Sequence, residues 1–478
     1  MKFEPVILPT DALIFLLIGV CVAGARYIRR RPHLALPWQR VGKNATAMVS
    51  LLILTLFLAV GVLDSLHYRP LLVDNDKGEP VYSPQVLSVF DKLAGGLATD
   101  TEKTYSAPLA THLYAMESME AGGHATRGYP RLKYGGAHLA DPETQWAGDV
   151  ARRAVLGAVL GLFGAFALFA AGAAVPRGAT ASPGAGAAVP PHLSARQRGF
   201  ARGLAQGGVG RALLVATLVL GVVIGAVAAL AAGYHVLGTD KVGQDVLYLS
   251  LKSIRTGLVI GTLTMLVMLP FAILLGVAAG YLRGWVDDVI QYVYTVLGSI
   301  PDVLLIVAAV LMMQVVIESH ANWFTTAAAR ADARLLALCV ILGVTRWTEL
   351  CRLLRGEAMK LRELEYIQAA QAFGVSSLRI MTRHIVPNVM HIVLISVVMG
   401  FSSLVLAEAV LSYIGVGVDP TTISFGNMIN AARMELGREP VVWWPLASAF
   451  FFMLLLVLAA NLFADAVRDA FDPRMNRS

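Results

Sequence analysis

Apolar residues gather along this chain in blocks of about 20, the length that spans a bilayer core as a helix. Polar positions gather between them. Nine such blocks are centred near residues 18, 55, 164, 222, 268, 303, 341, 402 and 454. The seventh begins at Leu335 and turns polar in its second half, with Arg346, Thr348 and Glu349. A span of that kind is expected inside a helix bundle rather than against lipid. The sixth is interrupted by Pro301 and Asp302. The pattern predicts an all-α polytopic membrane protein.

The polar intervals set the expected orientation. After the first block come Arg26, Arg29, Arg30, Arg31, Arg40 and Lys43. Arg196, Arg198, Arg202 and Arg211 precede the fourth block, and Arg468, Arg474 and Arg477 follow the last. With nine spans these groups share one face with the basic stretch before residue 388. Lys and Arg mark the cytoplasmic side, which places the N-terminus outside and the C-terminus inside. Residues 66–150 then lie outside, with eleven acids against seven Lys and Arg. That segment is long enough for a small domain. "LLVDNDKGEPVYS" reads as a hairpin around Lys77–Gly78, and "PQVLSVFDKLAGG" and "SAPLATHLYAMESMEAGG" read as short helices closed by glycines. Pro176 to Gly199 is a Gly/Ala/Pro linker that divides the chain.

Composition agrees with the pattern. The 478 residues are 56% hydrophobic and 15% charged, against about 25% charged in a soluble domain. The net charge of +7 follows the loops, and no nucleic-acid motif accompanies it. Cys21, Cys339 and Cys351 form no CxxC pair and sit in or beside apolar runs, so neither a disulfide framework nor a zinc site is expected. His112, His124 and His138 have no metal-ligand spacing. The first block is preceded by acids and followed by the basic cluster, the reverse of a secretory signal.

One interval departs from a plain connection. In "EYIQAAQAFGVSSLRIMTRHIVPN" (Glu365 to Asn388) two short amphipathic helices meet at a glycine. Leu361, Leu364 and Ile367 make one apolar stripe, with Tyr366, Ala370 and Phe373 beside it. Gly374 falls where a helix end needs positive φ. Ser376 or Ser377 is placed to cap the second helix, and Pro387 is placed to end it. The residues themselves allow both an interfacial helix in lipid headgroups and a dock for a soluble partner.

"QAAQAFG", nine residues and "HIVP" resemble the EAA loop of ABC-importer permeases, with Gln368, His384 and Val386 replacing that pattern's Glu, Ile and Leu. These replacements are usual in the branch for dipeptides, oligopeptides and nickel. Gly238 to Gly261 ("GTDKVGQDVLYLSLKSIRTGLVIG") is similar to that branch's segment leading into its second core span. Ala407 to Arg433 is similar to the segment between its fifth and sixth, and Asn461 to Arg474 to its C-terminus. The resemblance covers Arg211 to Arg474. In addition, "RPLLVDNDKGEPVYSP" resembles the outside segment of the Yej-type subfamily, associated with oligopeptides and peptide-nucleotide antibiotics.

The resemblance implies a six-helix permease core carrying three extra N-terminal spans and a small periplasmic α+β or irregular domain. Its units are residues 1–64, two spans with a basic cytoplasmic loop; 65–150, the periplasmic domain; 151–210, the third span and linker; and 211–478, the core with its coupling loop at 362–388. It implies an inner-membrane subunit of an importer for peptides or peptide-like compounds, with nickel or another small solute as the alternative. A membrane sensor and a secondary transporter are the rival classes. No GxxxxGK[ST] loop occurs, so ATP hydrolysis is assigned to separate subunits, and no cofactor or metal is implied. The implied partners are a second permease, two ATP-binding cassette ATPases, a periplasmic binding protein and membrane lipid. Glu365, Gln368, Ala369, Ala370, Phe373, Gly374, Arg379, Arg383 and Pro387 are implied in ATPase coupling. Lipid phosphate is the other acceptor open to the two arginines. Pro301, Asp302 and Glu408 are candidates for the translocation path.

Overall fold

Asn44 opens the second long helix by accepting the Ala47 N–H at 3.3 Å, a cap that marks where polar chain gives way to apolar span. The computed structural model describes residues 3–74, 80–121, 124–174, 208–324 and 326–471. Strand β1 (Phe3–Val6) leads into α1 (Pro9–Arg29), α2 (Pro32–Val41) and α3 (Ala45–Asp64). Next come β2 (His67–Asp74), β3 (Pro80–Tyr82), β4 (Leu87–Ser88), α4 (Val89–Ala94), α5 (Gly96–Thr99), β5 (Glu117–Ala121), β6 (His124–Gly128) and α6 (Pro142–Ala174). The second half holds α7 (Gly208–Ala231), α8 (Val246–Leu282), α9 (Trp285–Ser299), α10 (Asp302–Ser319) and α11 (Ala327–Arg362). It ends with α12 (Glu365–Ala372), α13 (Ser377–Ile380), α14 (Val386–Ile414), α15 (Phe425–Arg433) and α16 (Trp444–Phe471).

Among the described residues, eight helical runs are long and apolar enough to cross a membrane: α1, α3, α6, α7, α8, α10, the run Ser377–Ile414, and α16. The expected seventh span is α11. Its 36 residues reach about 54 Å at 1.5 Å per residue, but it is too polar to count by composition. Burial explains this. Leu335, Leu338, Cys339, Leu342, Trp347, Leu350 and Leu354 are enclosed by the bundle, so α11 meets protein where other spans meet lipid. Gly276 and Gly280 of α8 make the close contact possible: a Cβ there would lie 2.8 Å from the Cys351 carbonyl and 2.5 Å from that of Arg355. The sixth span also departs from expectation. The block centred near residue 303 is two helices, α9 and α10, parted at Ile300 and Pro301.

The helices alternate between two faces. Strand β1 pairs antiparallel with β2, Phe3 opposite Pro70 and Val6 opposite His67, so the chain's start shares a face with residues 65–141. On the opposite face Trp38 of α2 meets Phe471 of α16 edge-on at 5.5 Å. The first is called here the domain face and the second the loop face.

The small domain is α+β. Strand β2 is central, flanked by β1 and β3 and also paired with β4. Its pairing with β3 makes the expected hairpin; the turn at Lys77–Gly78 lies outside the described residues, as does the Pro176 to Gly199 linker. "PQVLSVFDKLAGG" supplies β4 and α4, opened by a capping box between Ser88 and Asp91 and closed at Gly95, φ 52°. "SAPLATHLYAMESMEAGG" does not form the expected helix. Its backbone bonds go elsewhere: the Leu113 N–H donates to the Pro130 carbonyl at 2.8 Å and Tyr114 to Tyr105 at 3.0 Å, and its end is strand β5, paired with β6. Tertiary hydrogen bonding overrides local propensity here.

Candidate coupling and translocation sites

At the loop face, α12 ends in two reverse bonds. The Gly374 N–H donates to the Gln371 carbonyl at 2.9 Å and Val375 to Ala370 at 3.1 Å. This is a Schellman closure, and Gly374 supplies its left-handed residue at φ 74°. The expected apolar face splits in two. Ile367 is fully buried, and Leu361, Ala370 and Val375 pack beside it on the core formed by α8, α11 and α14. Leu364, Tyr366 and Phe373 point outward, Phe373 with 87% of its surface exposed. Glu365, Gln368, Ala369, Arg379 and Arg383 are exposed too. The loop therefore has one anchored side and one free side on which apolar and charged groups mix.

Two contacts tie the loop to the bundle, and nothing in the linear spacing pointed to either. The Gln371 amide donates to the Tyr281 hydroxyl of α8 at 2.9 Å, and Arg283 pairs with Glu363 at 2.6 Å. The second half differs from expectation. Ser376 has extended backbone at the start of α13, but its side chain makes no capping bond. Pro387 does not end the helix. Residues Met381–Ile385 widen into a π turn, with the Val386 N–H reaching the Met381 carbonyl, and Pro387 occupies the first turn of α14. The wider turn accommodates a residue that has no N–H to give.

The three path candidates fall in different surroundings. Glu408 is 1% exposed. It accepts from the Ser412 hydroxyl one turn on in the same helix at 2.8 Å and lies where a Cβ on Gly426 of α15 would come within 3.0 Å of its carboxylate, so it sits in the packed seam of α14 and α15. Pro301 and Asp302 stand at the break before α10, both exposed in the chain. Asp302 lies 3.9 Å from Arg346 of α11.

The domain face holds the densest polar chemistry. Glu102 accepts the N–H groups of Lys133, Tyr134 and Gly135 at 2.9, 2.8 and 3.1 Å and sits 3.5 Å from His235 Nε2. His235 Nδ1 is 2.8 Å from Asp245, whose other oxygen caps α8 through Leu247 and Tyr248. Burial raises the Glu102 carboxyl, but His235 and the three N–H groups outweigh it and hold the group at about 2. Burial likewise opposes charge on His235, yet Asp245 and Glu102 lift it to about 9. The Trp444 indole donates to the Thr239 carbonyl at 2.9 Å, beneath the ring of Tyr114 at 4.8 Å. Closer to the helices, Arg255 of α8 meets Asp11 of α1 at 2.6 Å, and Lys252 meets Asp91 at 2.5 Å. The domain is thus bonded directly to the core. Among the described residues no group of three metal-ligating side chains occurs. His138 is engaged with Asp149 at 2.7 Å and His112 with Thr111 at 3.0 Å, and the side chain of His124 lies outside the description.

The second half of the sequence is similar to known proteins. Residues 272–477 match the family described as binding-protein-dependent transport system inner membrane component. The oligopeptide transport system permease protein OppC of Mycobacterium tuberculosis is 33% identical over 239 residues, which is 50% of this chain and 76% of that protein. The glutathione transport system permease protein GsiD of Pectobacterium atrosepticum is 31% identical over 242 residues, 50% of this chain and 73% of that one. The dipeptide transport system permease protein DppC of Bacillus subtilis is 27% identical over 243 residues, 51% and 70%. The matched part holds the anchored loop and the core beneath it, and this chain belongs to the inner-membrane permeases of ABC importers, subunits that conduct solute and leave ATP hydrolysis to others.

Proposed function

We propose that this permease imports peptides or peptide-like compounds and is driven through the loop at 362–388. The observation that carries the coupling role is the split face of α12. Ile367 is locked in the core while Phe373, Glu365, Gln368 and Ala369 are exposed, so a push on the outer side is delivered to α8 and α11 through the anchored side. Two ATPases dock there, one on this chain and one on a second permease. Arg379 and Arg383 offer charge beside the dock, and Pro387 sits above the π turn that joins dock to span. The peptide substrate follows the relatives' names. In this reading the domain face is periplasmic, where a binding protein delivers cargo, and the loop face is cytoplasmic.

Gly374 provides the test of coupling. A Cβ there meets nothing within 4 Å in the chain itself, so Gly374→Ala and Gly374→Trp share the backbone cost of positive φ, about 1–2 kcal/mol, and differ in bulk offered to a partner. In the reconstituted importer Gly374→Trp is expected to lose peptide uptake and binding-protein-stimulated ATPase activity while Gly374→Ala keeps most of both. Equal behaviour of the two variants would refute the dock. Orientation is tested with single thiols: Ser83→Cys is expected to react with an impermeant reagent in spheroplasts and Ser182→Cys to be protected, in a background without the native cysteines. Equal labelling rejects it.

A further inference from the structure

We propose that Asp302 and Arg346 form a polar station within the translocation path that takes the charged ends of a zwitterionic cargo in passing. This rests on the import reading above. Depth comes first. Helix α11 runs from Asp332, which accepts the Thr10 N–H at the domain face, to Glu363 and its Arg283 partner at the loop face. At 1.5 Å per residue, Arg346 lies about 21 Å from Asp332 and about 24 Å from Arg362. It is near mid-membrane, and Asp302 faces it across the break in the sixth span.

Neither group is enclosed. The Asp302 side chain is 56% exposed and that of Arg346 33%. Charge facing lipid at this depth is costly, and non-helical backbone there is found buried in protein or lining a water-filled cavity. The surface bearing Ile300, Pro301 and Asp302 is therefore not a lipid surface. The pair also differs from the chain's fasteners. Arg355 grips Asp287 with two bonds of 2.6 and 2.7 Å, and Arg334 grips Asp419 at 2.5 Å. Asp302 and Arg346 stand 3.9 Å apart, beyond hydrogen-bond reach; the Arg346 Nε that faces Asp302 is buried without a partner, while a third of the side chain stays exposed. An acid and a base with unused bonding capacity suit an ammonium and a carboxylate respectively, the second through the guanidinium fork. Val296, Ile300, Val303 and Leu304, close to Asp302 in sequence, are exposed and offer weak apolar contact, so that cargo is passed on rather than held.

The test uses the complete importer in proteoliposomes. With Cys21, Cys339 and Cys351 replaced, Asp302→Cys is expected to react with a water-soluble methanethiosulfonate during ATP turnover. A thiol that stays unlabelled, as in lipid or a subunit seam, overturns the proposal. In Asp302→Asn the ratio of uptake of a free dipeptide to that of its N-acetylated form is expected to fall about tenfold. An equal loss for both peptides overturns it, as does recovery of wild-type uptake by the charge swap Asp302→Arg with Arg346→Asp, which would mark a plain fastener. So does loss of the second permease on purification of Asp302→Asn. If the unaltered importer moves no peptide, the substrate reading fails while the labelling result still decides whether the pair faces water.

Discussion

His235 lies between two carboxylates, Asp245 on the helix it precedes and Glu102 on the domain above. Its folded pKa of about 9 stands above the ordinary 6.5. The protonated ring therefore stabilises the junction fully below pH 6.5, and that contribution is lost as pH rises through about 9. Glu102, held at about 2 against 4.5, contributes above pH 4.5 and loses its effect as pH falls through about 2. The junction is expected to be tightest between these limits. The thermal midpoint of the purified protein should fall between pH 7 and 9, and in His235→Gln that alkaline fall should vanish. An unchanged fall in the variant would assign it to another group. No spacing in the sequence joins Glu102 to His235, because 133 positions and the Gly/Ala/Pro linker separate them. Gly374, in contrast, was legible, since a glycine closing a short amphipathic helix has a local cause.

At the scale of elements, what could be read were the helices that solve their own burial problem in lipid. Helix α3 announces itself by composition; α11 was readable as a span that turns polar and packs inside the bundle, but not the close approach of Gly276 and Gly280 of α8 that encloses its apolar face. The break at Pro301 was visible as an interruption, but not that it makes two helices. The tie between elements was invisible. Arg255 of α8 is flanked by Asp11 of α1 and lies 4.0 Å from Asp332 of α11, so one guanidinium neutralises acids from two other helices. Removing it leaves Asp11 with His67 as its remaining cationic partner and Asp332 with its bond from Thr10 but no nearby cation. Arg255→Met is expected to lower stability by about 3–5 kcal/mol, measured as a drop in thermal midpoint. Adding Asp11→Asn should recover part of that loss. No recovery would mean that the arginine acts through packing rather than charge.

The whole molecule joins its extra N-terminal part to the permease core more firmly than a Gly/Ala/Pro linker suggests. The linker governs how α6 and α7 are connected through sequence, whereas the domain is held to the core through space by the Glu102 cluster, by the Asp91–Lys252 pair and by Tyr114 on Trp444. An accessory that only guides a binding protein could be removed without harm to the core. This domain covers Asp245, Thr239 and Trp444, all buried groups of the core's own outer segment. Stripping it leaves the Asp245–His235 pair without Glu102, opens the indole of Trp444 to water and leaves Lys252 without Asp91. Replacing Asp74 to Glu143 with a short Gly/Ser linker is therefore expected to lower the thermal midpoint of the solubilised protein by several degrees and to broaden its elution profile, before any question of docking arises. Docking is then read from a milder change: Lys103→Glu lies on the domain surface, where Lys103 pairs with Glu117 at 2.7 Å in an exposed bridge worth little to stability. It should leave the midpoint unchanged and alter binding-protein-stimulated ATPase activity in a salt-dependent way. A replaced domain that leaves the core as stable as before would show that the contacts across the junction are adjacency without energetic consequence.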